Sequence, residues 1–162
     1  MSFRLRDLAS LGFGRAAALA AALLSSACST FQAATPPGFV ELEESAPYDY
    51  RATTADGVVL AVRSIEHEPK GELGFWVTAV ERQVREQKGY ALLETRDVKN
   101  AQGLAGKQLR FGHDEGKQPH LYYVTLFVTD ARLYLLEAGG KKELMTRRTD
   151  QLDWAVQHFE AK

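Results

Sequence analysis

Between His120 and Thr129 the chain sets Tyr122, Val124, Leu126 and Val128 against Leu121, Tyr123 and Phe127, so an extended strand there is apolar on both sides. Successive side chains of a strand point to opposite faces. A strand apolar on both belongs in the middle of a sheet that is covered above and below. This one run therefore demands strand neighbours on each flank and a helical layer on each face.

The remaining sequence supplies those parts. Tyr48 to Thr54 and Val58 to Glu66 are rich in β-branched and aromatic residues and are joined by Ala55-Asp56-Gly57, where Asp-Gly is a strong hairpin signal. Gly38 to Leu42 predicts a short edge strand, broken by Glu43-Glu44-Ser45-Ala46-Pro47. Tyr90 to Val98 leads through Asn100-Ala101-Gln102-Gly103 into Lys107 to His113, where Leu109 and Phe111 alternate with Gln108 and Arg110 and one face is wetter. Asp130-Ala131 then turns the chain into Arg132 to Ala138, which Gly139-Gly140 ends.

Two segments change period. In Glu72 to Lys88, the residues Leu73, Trp76, Val77, Val80 and Val84 form a continuous apolar stripe at helical spacing. Glu81 with Arg85 and Arg82 with Glu86 make i,i+4 pairs on its other side, and Gly89 stops it. Lys141 to Phe159 predicts a second helix, interrupted near Thr149, whose hydroxyl is placed to cap the later part. Its stripe is Leu152, Ala155, Val156 and Phe159. The expected class is α+β: an antiparallel sheet sandwiched between helices, following an N-terminal signal segment.

That segment has its own plan. Arg4, Arg6 and Arg15 precede an apolar run from Ala16 to Leu24, then Ser25-Ser26-Ala27 and the only cysteine, Cys28. Basic region, apolar region and small residues in this order mark a secretory signal. Arg15 cuts the apolar run well short of the roughly 20 residues that a membrane-spanning helix needs. With Cys28 directly after Ala27, the leader resembles a bacterial lipoprotein signal, although Ser25 stands where such signals more often carry Leu. The resemblance implies cleavage before Cys28 and lipidation of its thiol by several acyl chains, palmitate among them, since one chain binds a membrane only marginally. Ser29 in place of Asp then favours, in a host with two membranes, the periplasmic face of the outer membrane, with the inner membrane as the alternative.

Three regions are expected: residues 1–27 as signal peptide, 28–47 as lipidated tether and linker, in which Ser29 to Pro37 is a tether ending in the extended Pro36-Pro37 pair, and 48–162 as a single domain. Removing Arg4, Arg6, Arg15 and Asp7 from 20 basic and 21 acidic side chains leaves 17 and 20. So mild a charge provides no field to recruit nucleic acid. With its one cysteine assigned to the anchor, the mature chain has neither disulfide nor thiol nucleophile.

The order of hairpin, helix, four-stranded meander and terminal helix, with Gly89-Tyr90, Gly103-Leu104-Ala105-Gly106, the Tyr122-Tyr123-Val124 strand and the closing His158-Phe159, resembles the PsbP-like fold over residues 48–159. That group includes photosystem II extrinsic subunits, a nuclear Ran-binding protein and DcrB-type envelope lipoproteins. It implies a shared fold without a shared enzymatic activity, several members acting by docking onto larger assemblies.

Motifs of catalysis are missing from the sequence. None of Ser29, Ser45 and Ser64 sits in a Gly-x-Ser-x-Gly elbow, and there is no phosphate-binding Gly-rich loop. Ser64 and His67, three residues apart on a strand, face opposite sides, and His67 points away from Glu66 and Glu68. No enzyme and no cofactor are expected. For a metal, the better pair is His113 and His120, which a turn at Gly116-Lys117 would set directly opposite one another near Asp114 and Glu115; two histidines at a hairpin tip are more often simply exposed polar residues. Lys141-Lys142 and Arg147-Arg148 could meet anionic lipid, but Glu143, Asp150 and Asp153 interleave them as on any solvated helix.

Phe75 and Trp154 stand out as aromatics projecting away from the stripes of their own helices. Each can pack on a neighbouring loop, or serve as an interface anchor. The expectation is a membrane-anchored envelope lipoprotein with a non-catalytic domain that binds or supports an envelope protein, with Phe75 and Trp154 as candidate contacts. The alternative is a periplasmic small-molecule or metal-binding protein using His113 and His120.

Overall fold

The computed structural model describes residues 29–43 and 46–162. Cys28 and the expected signal segment lie outside the described residues, as do Glu44 and Ser45.

The central run becomes β7 (Gln118–Val128), hydrogen-bonded on one side to β6 (Ala105–Glu115) and on the other to β8 (Arg132–Lys141), all antiparallel. β5 (Ala91–Lys99) closes the sheet beyond β6. Beyond β8 lie β4 (Val59–Glu66), β3 (Tyr50–Thr53) and the edge strand β2 (Val40–Glu41), giving the seven-stranded order β2-β3-β4-β8-β7-β6-β5. Consecutive hairpins build most of it. At the tip of β6 and β7, Glu115 pairs with Gln118 around Gly116-Lys117, where Gly116 takes φ 65°; this left-handed conformation suits a residue without Cβ. β5 forms the second edge and carries an irregularity between Leu92 and Glu94, together with Glu94, Arg96, Asp97 and Lys99. Bulges and charges of this kind discourage pairing with other chains.

One face is covered by α1 (Leu73–Lys88). Its Val80 and Val84 are buried against Leu109, Phe111, Val124, Leu126, Leu133 and Leu135, with Leu73, Trp76 and Val77 packed around them. Gly89, at φ 69°, returns its N–H to the Arg85 carbonyl and ends the helix. The opposite face is covered by α2 (Lys142–Arg147) and α3 (Thr149–Gln157), which bury Met145, Leu152, Ala155 and Val156 over Leu121, Tyr123, Phe127, Tyr134 and Leu136. The two apolar faces of β7 thus meet two separate cores, as its alternation requires.

Two expectations are corrected. The stretch before Pro37 is not a free tether: β1 (Phe31–Gln32) pairs antiparallel with β9 (Glu160–Ala161), and Phe31, Pro36 and Phe39 are buried in the α3-side core. Phe31 stacks on Phe159 with centroids 5.7 Å apart and meets Tyr134 edge-on at 6.1 Å. Aromatic burial on this scale contributes about 1.5–3 kcal/mol per ring, which outweighs the extended preference of a proline pair. Second, Thr149 does not cap α3. Its hydroxyl donates to the Thr146 carbonyl at 2.9 Å, so the hydroxyl serves the end of α2 instead.

Candidate functional site

α1 rests mainly over β5, β6 and β7, leaving the β4 and β3 part of that face more open. Along this border the alternation of four strands brings together a row of polar and aromatic groups. On β8, Leu133 and Leu135 point into the α1-side core, and two residues later Glu137 occupies the same face. Its carboxylate is almost wholly buried. Arg63 Nε of β4 donates to Oε1 at 2.6 Å and its terminal nitrogen also engages that oxygen, while the Tyr122 hydroxyl of β7 donates to Oε2 at 2.6 Å. Burial, and then the adjacent carboxylate, hold the Tyr122 phenol far above its ordinary pKa.

From this ion pair the row runs in both directions. Toward β3, the Tyr48 ring lies 5.9 Å from the Arg51 guanidinium and 5.8 Å from that of Arg63. Toward the hairpin tip, Lys88 at the end of α1 places Nζ 4.8 Å from the Tyr122 ring centroid. Tyr90 meets Tyr122 edge-on at 5.9 Å and stacks on His113 at 3.9 Å with the planes 6° apart. His113 in turn faces His120 at 5.4 Å. The result is a ridge of three tyrosines and two histidines carrying Arg51, Arg63 and Lys88, with the buried carboxylate of Glu137 at its centre and Glu115 beside His120 at its tip. Within it Arg51, Arg63 and Lys88 lie close to tyrosine rings, where positive charge is attracted by the ring quadrupole.

Ser64 and His67, in contrast, do not cooperate. Ser64 Oγ lies 3.1 Å from Thr30 Oγ1. His67 is buried with Nδ1 donating to the Thr129 carbonyl at 2.7 Å and Nε2 accepting from Gly71 N–H at 2.9 Å. One ring nitrogen thereby ties the loop after β4 to the turn between β7 and β8, and the other to the segment that leads into α1. Among the described residues no helix is long and apolar enough to cross a membrane.

No family model matches the sequence, and no curated protein matches it significantly. Solved structures do match in shape. LpqN, involved in cell envelope biogenesis of Mycobacterium tuberculosis, superimposes with a TM-score of 0.64 at 10% identity, over 80% of this chain and 82% of its own. The cyanobacterial PsbP (CyanoP) from Synechocystis sp. PCC 6803 gives 0.58 at 12% identity, over 82% and 87%. The fold is PsbP-like. The Saccharomyces cerevisiae Ran-binding protein Mog1p shares it as well, at 0.54 and 14% identity over 82% and 90%.

Within this PsbP-like domain the residues singled out from sequence fall in separate places. His113 and His120 are directly opposed, as the turn at Gly116-Lys117 requires. His120 Nδ1 donates to the Gln118 carbonyl at 3.0 Å and its Nε2 lies 3.3 Å from Glu115, while His113 is stacked against Tyr90. Among the described residues no set of three His, Cys, Asp or Glu side chains is arranged to hold a metal ion. Phe75 is 56% exposed on α1 and touches Trp76 edge-on at 5.1 Å. Trp154 is half-buried on α3, stacked on His158 at 4.0 Å. Because α1 and α3 cover opposite faces of the sheet, the two do not form one patch. Cys28 lies outside the described residues.

The ridge itself was missed because its members come from α1, β3, β4, β6, β7, β8 and the loops before β3 and β5. One local signal was available. Glu137 is the acid in Leu133-Tyr134-Leu135-Leu136-Glu137-Ala138, an otherwise apolar strand, and an inward acid must find partners.

Proposed function

We propose that this chain is a membrane-anchored cell-envelope lipoprotein whose PsbP-like domain binds or supports another envelope component and catalyses no reaction. The observation that carries the reading is the junction at Cys28. A leader with the plan of a lipoprotein signal ends there, and the folded unit begins within three residues, at Phe31. Ser29 directs the anchored protein to the periplasmic face of the outer membrane in a host that has one. Similarity in fold to LpqN, a protein of envelope biogenesis, supports the compartment. The cationic, aromatic ridge from Arg51 to His120 is the surface suited to an anionic segment of a protein partner, with exposed Phe75 and half-buried Trp154 as further anchor candidates.

Metabolic labelling with palmitate tests the anchor: label is expected on the wild type and absent from Cys28→Ala, and label persisting in that variant overturns it. In-cell crosslinking then tests binding. A partner recovered with the wild type should be lost when Lys88 and Tyr90 are both replaced by Glu in a protein that still folds. Equal recovery removes the ridge from the reading, and the same assay on Phe75→Ala and Trp154→Ala decides those positions.

A second reading, a periplasmic small-molecule or metal-binding protein, rests on the opposition of His113 and His120 beside Glu115. Zinc followed by NMR should shift both imidazoles together; no response at micromolar zinc ends it.

A further inference from the structure

The way the first described residues are fastened determines which end of the domain a Cys28 anchor would hold against a bilayer. Thr30 is fixed at three points: its carbonyl accepts from the Tyr134 hydroxyl at 2.7 Å and from Lys162 N–H at 2.9 Å, and its hydroxyl lies 3.1 Å from that of Ser64. The next residues pair with β9. Thr30 therefore sits where β4 finishes and β8 begins. Consecutive Cα atoms are about 3.8 Å apart, so Cys28 is within about 8 Å of this point whatever its conformation.

Resting on the lipoprotein reading above, we infer that the end of the domain formed by the loops 67–72, 100–104 and 129–131 and by the β1-β9 pair is seated on lipid headgroups, and that the hairpin tip at Gly116-Lys117 points away from the membrane. A docked segment leaves no slack for the domain to turn over. β7 and β6 run the length of the sheet, and 11 residues at about 3.3 Å each put the tip roughly 36 Å from the seated end. The His113 and His120 end of the ridge is then presented outward. So are Lys141 and Lys142, since Lys141 ends β8 and Lys142 follows it at the far end from Thr30, and the contact of this lysine pair with headgroups is disfavoured.

Charge does not drive the seating. The seated end mixes Lys70, Lys99, Arg132 and Lys162 with Glu66, Glu68, Glu72, Asp130 and Glu160. A basic patch would respond to anionic lipid, whereas an anchor of fixed length should hold the same end down in neutral and anionic bilayers alike.

The test uses the full-length lipidated protein in vesicles of phosphatidylethanolamine and phosphatidylglycerol, with a fluorophore on a thiol introduced by Ala101→Cys, Lys162→Cys or Lys117→Cys. Nitroxide-headgroup lipids are expected to quench positions 101 and 162 severalfold more than 117, with little change as the phosphatidylglycerol fraction varies. Equal quenching, or stronger quenching at 117, overturns the seating. Flotation with the vesicles is read in parallel: if wild type and Cys28→Ala float equally, the anchor reading fails, whereas Cys28-dependent flotation with equal quenching removes only the orientation. A flexible Gly-Ser insertion between Ser29 and Thr30, long enough to span the domain, should keep flotation and erase the difference; a difference that survives shows that something other than the short anchor orients the domain and overturns the inference.

Discussion

Tyr122 and Glu137 meet across neighbouring central strands, the phenol donating to Oε2 at 2.6 Å while Arg63 holds Oε1. The Glu137 side chain is only 7% exposed, against 38% for Arg63. A carboxylate so placed depends on both donors, because an unpaired buried charge is far costlier than an unpaired exposed one. Arg63→Met should lower stability by about 2–3 kcal/mol, below the full penalty of breaking a buried pair because water still reaches this border. Tyr122→Phe removes one hydrogen bond to a charged group and should lower it by about 1.5 kcal/mol. Pairing Arg63→Met with Glu137→Leu should recover most of the loss. Urea unfolding midpoints check all three; a double variant no more stable than Arg63→Met contradicts the account.

The same tyrosine predicts behaviour at high pH. Burial raises the phenols of Tyr122, Tyr50, Tyr123 and Tyr134 above the ordinary value. Unfolding lets them ionise near pH 10, so above that the unfolded chain binds fewer protons than the folded one and stability falls as pH rises. Below pH 10 these groups contribute no slope. Melting temperature measured from pH 8 to 11 should be flat in this respect and then drop, and the drop should be shallower in Tyr122→Phe. A parallel curve for that variant would show that the Tyr122 phenol of the wild type ionises without hindrance.

Much of this arrangement was legible in the sequence because it is local. The double-faced run at Tyr122 to Val128, the Asp56-Gly57 hairpin, the stripe from Leu73 to Val84 and the register that opposes His113 to His120 follow from periods of two and 3.6 residues and from turn chemistry. What escaped has no period. β1 and β9 are two residues each, held by packing of Phe31 on Phe159 over 128 positions of sequence rather than by any pattern of their own. The border from Tyr48 to His120 escaped for a related reason: Glu137 was visible as an odd acid, but only the register of β4, β8 and β7 shows that Arg63 and Tyr122 converge on it.

Close backbone approach predicts which glycine resists substitution. A Cβ on Gly106 would lie 2.5 Å from the Leu126 carbonyl oxygen and 2.7 Å from the Phe127 ring, neither free to retreat from the centre of the sheet. Gly106→Ala should therefore destabilise by about 1–3 kcal/mol, the usual range for overpacking. Gly139 is the control. Its added Cβ would meet the Tyr122 ring at 3.7 Å, an ordinary contact, and Gly139→Ala should change stability by less than about 1 kcal/mol. Urea midpoints for the two variants should separate clearly; equal midpoints would mean that the sheet relaxes around Gly106.

Phe31 decides whether the segment after Cys28 belongs to the fold. Its ring is 8% exposed, stacked on Phe159, which itself stacks on Phe127 at 5.5 Å and meets Tyr134 edge-on at 5.2 Å. Removing one member of that cluster leaves a cavity walled by aromatic rings that cannot collapse into it. Phe31→Ala should lower stability by about 3 kcal/mol, within the range for buried phenylalanine. Phe75→Ala, which removes the same side chain from an exposed site, should change it by no more than about 0.5 kcal/mol. Were residues 29–37 a free tether, the two substitutions would be alike in urea unfolding. A large difference between them means that the chain is folded almost to Cys28, the condition under which an anchor there can dictate the orientation of the whole domain.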